Sequence, residues 1–284
     1  MLEKIKYLTW SIMNLGSSKN CPSCDSHHIQ LIQRKYLFTS LRECSNCKLR
    51  FRIPLEKFRN SSKFYQENYN EPDGITTYIQ DKELNGDLDF GYKLLTFENQ
   101  IIFYLLNKKP TELSILDFGS SWGYQSYQFK KIGYLTSSFE ISLPRLNYGN
   151  NRLGLNITNN IEKVPIVDIF YSSHVIEHLE NPKLIFDIAV TKTHKNGLVY
   201  LKCPNGSEEF KLQHPLIYKQ MWGMVHPNFI SKEWLEFVLN DLEKIFFVSS
   251  SEDNLLMSEI KQWDRTSTFI GPLDSPNLTI LFFN

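Results

Sequence analysis

Asp117, Gly119, Gly123 and Glu140 are spaced so that together they could recognise a small ligand. In Asp117-Phe118-Gly119-Ser120-Ser121-Trp122-Gly123 an acid stands two residues before the first of two glycines, and Glu140 lies further on. Glycine tolerates positive φ and, lacking a Cβ, lets the backbone come close to a ligand. A carboxylate at the end of the following strand can accept hydrogen bonds from both hydroxyls of a ribose. The dinucleotide pattern G-x-G-x-x-G is not met, because Ser121 and Tyr124 occupy its second and third glycine positions. Asp117 beside the turn repels a phosphate and attracts an ammonium group. The pattern therefore predicts a ligand with a ribose and an amino group but no pyrophosphate.

A second chemistry is written in four cysteines. Cys21-Pro22-Ser23-Cys24 and Cys44-Ser45-Asn46-Cys47 are two C-x-x-C knuckles with nineteen residues between them. Four thiolates from two tight turns satisfy Zn²⁺ as a closed tetrahedral structural site. Iron in the same cage and a pair of disulfides are the alternatives. His27 and His28 are bystanders to a ligand set that is already complete, and Cys203, after a predicted strand, is expected to be buried.

Histidines supply a third. His174-Val175-Ile176-Glu177-His178 matches the H-x-x-E-H pattern of one metalloprotease class. That pattern works only with both histidines on one face of a helix, whereas this segment leaves a buried strand and meets Asn181-Pro182 soon after. Glu177 and His178 could hold a divalent metal, though nothing else in the sequence supports one. His226 opens His226-Pro227-Asn228-Phe229-Ile230-Ser231, ahead of a predicted helix, with His214 upstream. A histidine titrating near neutrality can remove a proton from a reacting group. Tyr218, Trp222 and Phe229 nearby are predicted to stack on a sugar or an aromatic ring.

The elements that must position these residues alternate. Ile115-Leu116 ends in Asp117, a helical pattern runs from Trp122 to Ile132, Gly133 caps it, and a strand-like run ends at Glu140. Downstream come helix Leu143–Leu153, strands Leu155–Thr158 and Val167–Ser173, helix Lys183–His194 and strand Leu198–Cys203. A helix opening at Ser231 and strands Phe246–Ser250 and Leu278–Phe283 complete the series. Strand-helix alternation of this kind predicts an α/β fold with a mostly parallel sheet. Residues 91–107 have helical periodicity and are expected to cover one face of that sheet. Between the cysteine pairs, Ile29–Ile32 and Tyr36–Phe38 read as two short strands, giving a ribbon too small to fold without its metal.

With 284 residues, 42% hydrophobic and 14% aromatic, the chain has enough apolar material for one sizeable core and a small accessory module. No apolar run approaches the roughly 20 residues of a membrane span, and the opening residues lack a secretory pattern, so no membrane contact and a cytoplasmic location are expected. Net charge is zero, yet residues 1–63 carry 12 Lys and Arg against 4 Asp and Glu, and the remainder 19 against 27. A basic N-terminal module points to an anionic partner, unless those side chains are simply solvated.

S-adenosylmethionine (SAM) has the amino group, the ribose and the lack of phosphate that the glycine turn calls for. The segment Asp117–Gly123 resembles the first motif of class I SAM-dependent methyltransferases, with Glu140 in the position of the ribose acid and Ser121 replacing the middle glycine. The order of a cysteine ribbon, the segment Phe64-Tyr65-Gln66-Glu67-Asn68-Tyr69 and this motif is similar to that of bacterial methyltransferases acting on sugars and other small molecules. The resemblance implies a Rossmann-like seven-stranded sheet with an antiparallel last strand, preceded by a zinc ribbon. It divides the chain into a ribbon at 1–63, a connector and covering helix at 64–110, in which Tyr65 and Tyr69 either form a lid or pack against the body, and a SAM-binding domain at 111–284. It implies cofactor contacts at Asp117, Gly119, Ser121, Gly123, Glu140, Ser173 and His174, with Glu177 and His178 towards the substrate and His226 as the base. The implied acceptor is a small molecule such as a sugar or nucleotide-linked sugar, with anionic sugars suiting the basic ribbon. Two rivals stand beside it: an RNA methyltransferase gripping phosphates with the ribbon, and an adaptor whose SAM fold has lost activity.

Overall fold

In a computed structural model the described residues are 9, 11–14, 19–35, 39–55, 89–223, 226–239, 244–250 and 253–284. Tyr65, Tyr69 and the second predicted ribbon strand at Tyr36–Phe38 lie outside them. The chain divides into two compact units, the first formed by 1–61, 174–187 and 202–280, the second by 62–173, 188–201 and 281–284.

In the second unit, helix α1 (Asp89–Leu106) buries Ile101, Ile102 and Leu105. Strand β4 (Ser114–Phe118) leads through the glycine turn into α2 (Tyr124–Ile132), and β5 (Leu135–Phe139) follows. Gly133 caps α2 in the left-handed region (φ 115°), where only glycine avoids strain. Then come α3 (Leu143–Leu153), the short β6 (Ile157–Thr158) and β7 (Val167–Ser173). β4 pairs in parallel with both β5 and β7, and β5 with β6. The chain therefore reverses its direction of progress across the sheet at β4, and the carboxyl end of β4 is where ligands of open α/β sheets bind.

Helix α4 (Leu184–Lys192) ends two residues before the predicted limit, where β8 (Thr193–Pro204) starts, and the Thr193 hydroxyl bonds the Ala189 carbonyl (2.6 Å). With β12 (Asn277–Phe283), the strand order in the second unit is β12-β8-β7-β4-β5-β6. The division between units cuts β8 and β12. These two strands run antiparallel: Asn284, after the end of β12, exchanges hydrogen bonds with Asn196 and Gly197 early in β8 (2.7 and 2.9 Å).

The first unit holds the ribbon strands β1 (Ile29–Lys35), β2 (Thr39–Cys44) and β3 (Arg50–Ile53), all antiparallel. Their sheet gains a fourth strand from far along the chain, β9 (Asn228–Phe229), through the pairs Arg50↔Phe229 and Phe51↔Asn228. Helices α5 (Glu208–Gln213), α6 (Pro215–Met221), α7 (Lys232–Val238) and α8 (Asp253–Gln262) also belong to this unit. Ser231 caps α7 as expected, its side chain accepting from the Trp234 N–H. Strands β10 (Ile245–Ser249) and β11 (Phe269–Ile270) are parallel, giving the order β11-β10-β12-β8. Among the described residues the two-residue β11 makes eight strands in the large sheet where seven were expected.

Tyr218, Trp222 and Phe229, predicted to stack on an acceptor, are fully buried and form a core with Leu41 and Phe210. The apolar faces of the ribbon strands and of α5 and α6 need cover, and these rings supply it. Gln33 accepts from the Trp222 indole N–H (2.8 Å). Trp222→Ala is accordingly expected to destabilise the fold by about 3–5 kcal/mol, read as a lower urea midpoint. Unchanged stability would return Trp222 to the list of acceptor contacts.

The ribbon's positive charge is partly structural. Arg50 bonds Glu43 (2.9 Å), Glu208 (2.6 Å), the Gly206 carbonyl (3.0 Å) and the Tyr218 hydroxyl (3.2 Å). Arg52, fully buried, donates to the carbonyls of Pro54 and Gly223 (3.2 and 2.6 Å), and Lys35 to those of Lys219 and Trp222 (2.9 and 2.6 Å). None of the three is left to grip a phosphate backbone. Among the described residues no helix is long and apolar enough to cross a membrane.

Candidate cofactor and metal sites

The glycine turn sits at the carboxyl end of β4 in the second unit, and its amides are largely taken. Gly119 and Ser120 donate to the Phe139 carbonyl (2.8 and 3.0 Å), Ser121 to Glu140 Oε2 (2.8 Å), and Gly123 to the Ser120 carbonyl (2.9 Å). Phosphate cradles depend on such amides pointing at the ligand. Four bound internally, with two acids alongside, make this a poor place for a pyrophosphate.

Both glycines have positive φ, Gly119 at 80° and Gly123 at 87°. At Gly123 the reason is packing as well as conformation, since a Cβ there would lie 2.5 Å from Leu155 Cδ1. Ser121 adopts φ 53°, in the left-handed region that costs a non-glycine residue about 1–2 kcal/mol. Its hydroxyl accepts a 2.6 Å hydrogen bond from Arg145, whose guanidinium lies 5.2 Å from the centroid of the Trp122 ring. A bond to a charged donor contributes about 1.5–3 kcal/mol, which offsets the strain. The serine is thus built into the turn through its side chain.

The two acids differ in their partners. Asp117 is 1% exposed, and its Oδ2 accepts from the Ser126 hydroxyl (2.6 Å), which in turn bonds Ser138 (2.8 Å). Burial, with the charges of Glu98 and Glu140 nearby, pushes its carboxyl up to about 7 against the pull of Ser126. Glu140, 7% exposed, accepts from the amides of Ser121 (2.8 Å) and Ser142 (2.7 Å). Burial still raises it, although those amides and Arg145 act the other way. A carboxylate has about four acceptor positions, so capacity remains for two ribose hydroxyls. The hydroxyls of Ser120 and Ser142 are buried with no hydrogen-bond partner among the described residues. Orphaned polar atoms beside two buried acids fit a polar, cationic ligand that completes them.

Glu98, Ser126 and Arg145 were missed by the sequence reading. Glu98 had a signal, because a buried acid shares one helical face with Ile101, Ile102 and Leu105. Ser126 and Arg145 had none, being ordinary residues of two amphipathic helices.

In the first unit, one sulfur from each of Cys21, Cys24, Cys44 and Cys47 lies within 4.8 Å of the others. The closest pairs are Cys21–Cys47 (3.4 Å) and Cys24–Cys44 (3.5 Å). The knuckles share one geometry. Asp25 N–H donates to the Cys21 carbonyl (2.9 Å) and Lys48 N–H to that of Cys44 (3.0 Å), and both residues have positive φ (56° and 65°). The hydrogen bond from Cys47 draws the Cys21 thiol down to about 6. This is the donor set of a closed structural zinc site. The Trp234 indole N–H donates to Ser23 Oγ (3.0 Å), tying the first knuckle to α7.

His174, Glu177, His178 and His226 also gather in the first unit. After β7 the chain makes a 3₁₀ turn at Ile176–His178 and forms no α-helix, so the protease geometry is absent. Glu177 is fully buried, with His174 Nδ1 at 3.3 Å and His178 Nε2 at 3.8 Å from its Oε1. Burial would raise its carboxyl, but the close His174 imidazole and the charges of His178, His174 and His226 hold it below the usual range. His226 lies ring to ring with His178 (centroids 5.0 Å), while His214 packs against Phe210 instead. Asn228 donates to the carbonyls of Leu179 (2.6 Å) and Glu177 (3.4 Å), and Arg52 N–H to Pro227 O (2.8 Å). The ribbon strand β3 thereby fixes β9, and β9 holds His226 against the Glu177 turn. Cys203 is buried, which pushes its thiol well up. Ser173 closes β7, and the amide of His174 bonds the Lys202 carbonyl (2.9 Å).

No protein-family model matches the chain, and no curated protein does. Solved structures do. The plantazolicin methyltransferase BpumL, in complex with a monoazolic desmethylPZN analog and SAH, superposes with a TM-score of 0.51 at 17% identity, covering 79% of this chain and 95% of that one. Magnesium protoporphyrin IX methyltransferase (ChlM) from Synechocystis PCC 6803, with bound SAH, gives 0.50 at 11% identity over 81% and 100%. The chain has the class I SAM-dependent methyltransferase fold.

Proposed function

We propose that this protein is a SAM-dependent methyltransferase of the cytoplasm, with zinc in its ribbon, acting on a small-molecule acceptor. The acceptor class we favour is a sugar or nucleotide-linked sugar of surface polysaccharide or secondary metabolism. The observation that carries the reading is the turn after β4, where the amides are bound internally and two buried acids keep acceptor capacity. That arrangement suits a cationic ligand without phosphate.

In this reading Asp117 holds the amino group, Glu140 the ribose hydroxyls, and Gly119, Ser121 and Gly123 shape the loop beneath them. Ser173 and His174 border the methionine end. Bound SAM supplies an electrophilic methyl carbon, whose bond to sulfur breaks with the electron pair staying on sulfur as the acceptor attacks. Little covalent help is needed beyond orientation and removal of a proton. The proton is taken at the Glu177 cluster, with His226 and His178 as its imidazoles. His226 Nδ1 lies 2.8 Å from the Met221 carbonyl and donates to it, which leaves Nε2 as the basic nitrogen. The internal bonding of Arg50, Arg52 and Lys35 weighs against the RNA rival, and the Arg145 bond to Ser121 removes the sign of decay that motivated the adaptor.

Calorimetry with SAM tests the reading, and pH sharpens it. Asp117 titrates at about 7 in the free protein, and an ammonium group needs its carboxylate form. Affinity should therefore be flat just above pH 7 and fall about tenfold per unit below it, with a proton released on binding. No saturable binding would sink the proposal.

A further inference from the structure

We propose that Glu177, His178 and His226 form a second metal site, taking a divalent transition metal such as zinc and leaving one coordination position open. One donor atom from each of the three lies within 4.8 Å of the others. The cluster belongs to the first unit, as the cysteine site does, but its donors are nitrogen and oxygen.

Glu177 carries the argument. It is 0% exposed, and neither carboxylate oxygen has a hydrogen-bond partner among the described residues. Its polar neighbours are the imidazoles at 3.3 and 3.8 Å. Buried carboxylates persist when hydrogen-bonded, paired or bound to a metal. Glu140 in the same chain shows the first solution, with an amide on each oxygen. Glu177 has no such amides, and the imidazoles beside it are groups that can ligate a metal.

The His226 imidazole is prepared for the role. His226 Nδ1 is 2.8 Å from the Met221 carbonyl, which can only accept, so the proton sits on Nδ1 and the Nε2 lone pair is free. Metal-bound histidines are commonly oriented by such a bond on the other nitrogen. His178 and His226 are partly exposed, so an ion has a way in. Two histidines and one carboxylate are the ligand set of metal sites that keep an open position. Donors about 2.0–2.2 Å from a tetrahedral ion lie about 3.3 Å apart. The 3.8 Å between His178 and Glu177 needs only a small side-chain adjustment.

The role of this site rests on the methyltransferase reading. There, the open position takes an oxygen of the acceptor, and the ion lowers its pKa. The O–H electron pair stays on oxygen, and the proton passes to bulk water. Both imidazoles are then ligands, and acidification by the ion replaces direct removal by His226.

Titration of chelator-stripped full-length protein with Co²⁺ tests it. Two equivalents are expected, one with the intense charge-transfer absorption of thiolate ligands and one without. Glu177→Gln and His226→Gln should weaken the second by roughly 100-fold or more while keeping the thiolate spectrum, which also reports that the ribbon has folded. His178→Asn should do the same. A single equivalent in the wild type, or two equivalents undiminished in all three variants, would overturn the site. A second equivalent in a protein that fails to bind SAM would keep the site and remove only the methyltransferase reading.

Discussion

Cys44→Ser should leave a protein that no longer retains ribbon zinc and melts about 10 °C or more below the wild type. Structural zinc contributes on the order of 10–16 kcal/mol to the folding of isolated zinc-finger peptides, and a closed site loses most of that with one thiolate. A loss of several kcal/mol in a domain of 150–250 residues shifts the midpoint by about 2–4 °C per kcal/mol. The damage should extend beyond the knuckles. Cys44 ends β2, which pairs with β3, and β3 pairs with β9 two residues after His226. Hydrogen exchange should therefore speed up at Asn228 and Phe229 as well as in the ribbon. Zinc measured by elemental analysis together with a melting curve checks the claim. Full ribbon occupancy or an unmoved midpoint would show that the four sulfurs do not hold the fold.

Asp117→Asn and Glu140→Gln should separate the two ends of the cofactor. On the proposed reading, Asp117→Asn removes the charge that would face the amino group and should weaken SAM by about 10- to 100-fold, matching one charge-assisted hydrogen bond. It should leave 5′-methylthioadenosine, which lacks the amino acid, nearly unaffected. The pH dependence below 7 should vanish in the same variant. Glu140→Gln should weaken both ligands alike, because both carry the ribose. Its amide group would also meet the Ser121 or Ser142 N–H as a second donor, so a melting curve belongs with the measurement. Equal losses for both ligands in Asp117→Asn would mean that Asp117 only supports the loop through Ser126.

What was legible in the sequence follows from distance along the chain. Strand, turn, helix, strand and acid from Ser114 to Glu140 are set by neighbouring residues, and the knuckles by four cysteines within one short stretch. The protease pattern was rightly set aside because Asn181-Pro182 leaves no room for a helix. The misreadings share another origin. Trp222, Tyr218 and Phe229 look like an aromatic platform until Leu41 and Phe210 are known to lie against them. The convergence of His226 on Glu177 depends on Asn228 reaching the Leu179 carbonyl and on β3 holding β9, contacts between segments far apart in the chain. Periodicity carries no trace of such pairings. The internal use of Arg50 and Arg52 was hidden for the same reason, and their charge read as surface.

The ribbon's sheet has an assembly consequence. During synthesis the cysteines and β1–β3 emerge well before β9, the partner of β3, which comes only after residue 227. Until then β3 presents an open strand edge, a template for mispairing with other chains. Slow, long-range closure of this kind is where folding is most exposed to aggregation. A nascent chain stalled before β9 should thus bind chaperones at the ribbon even when fully loaded with zinc.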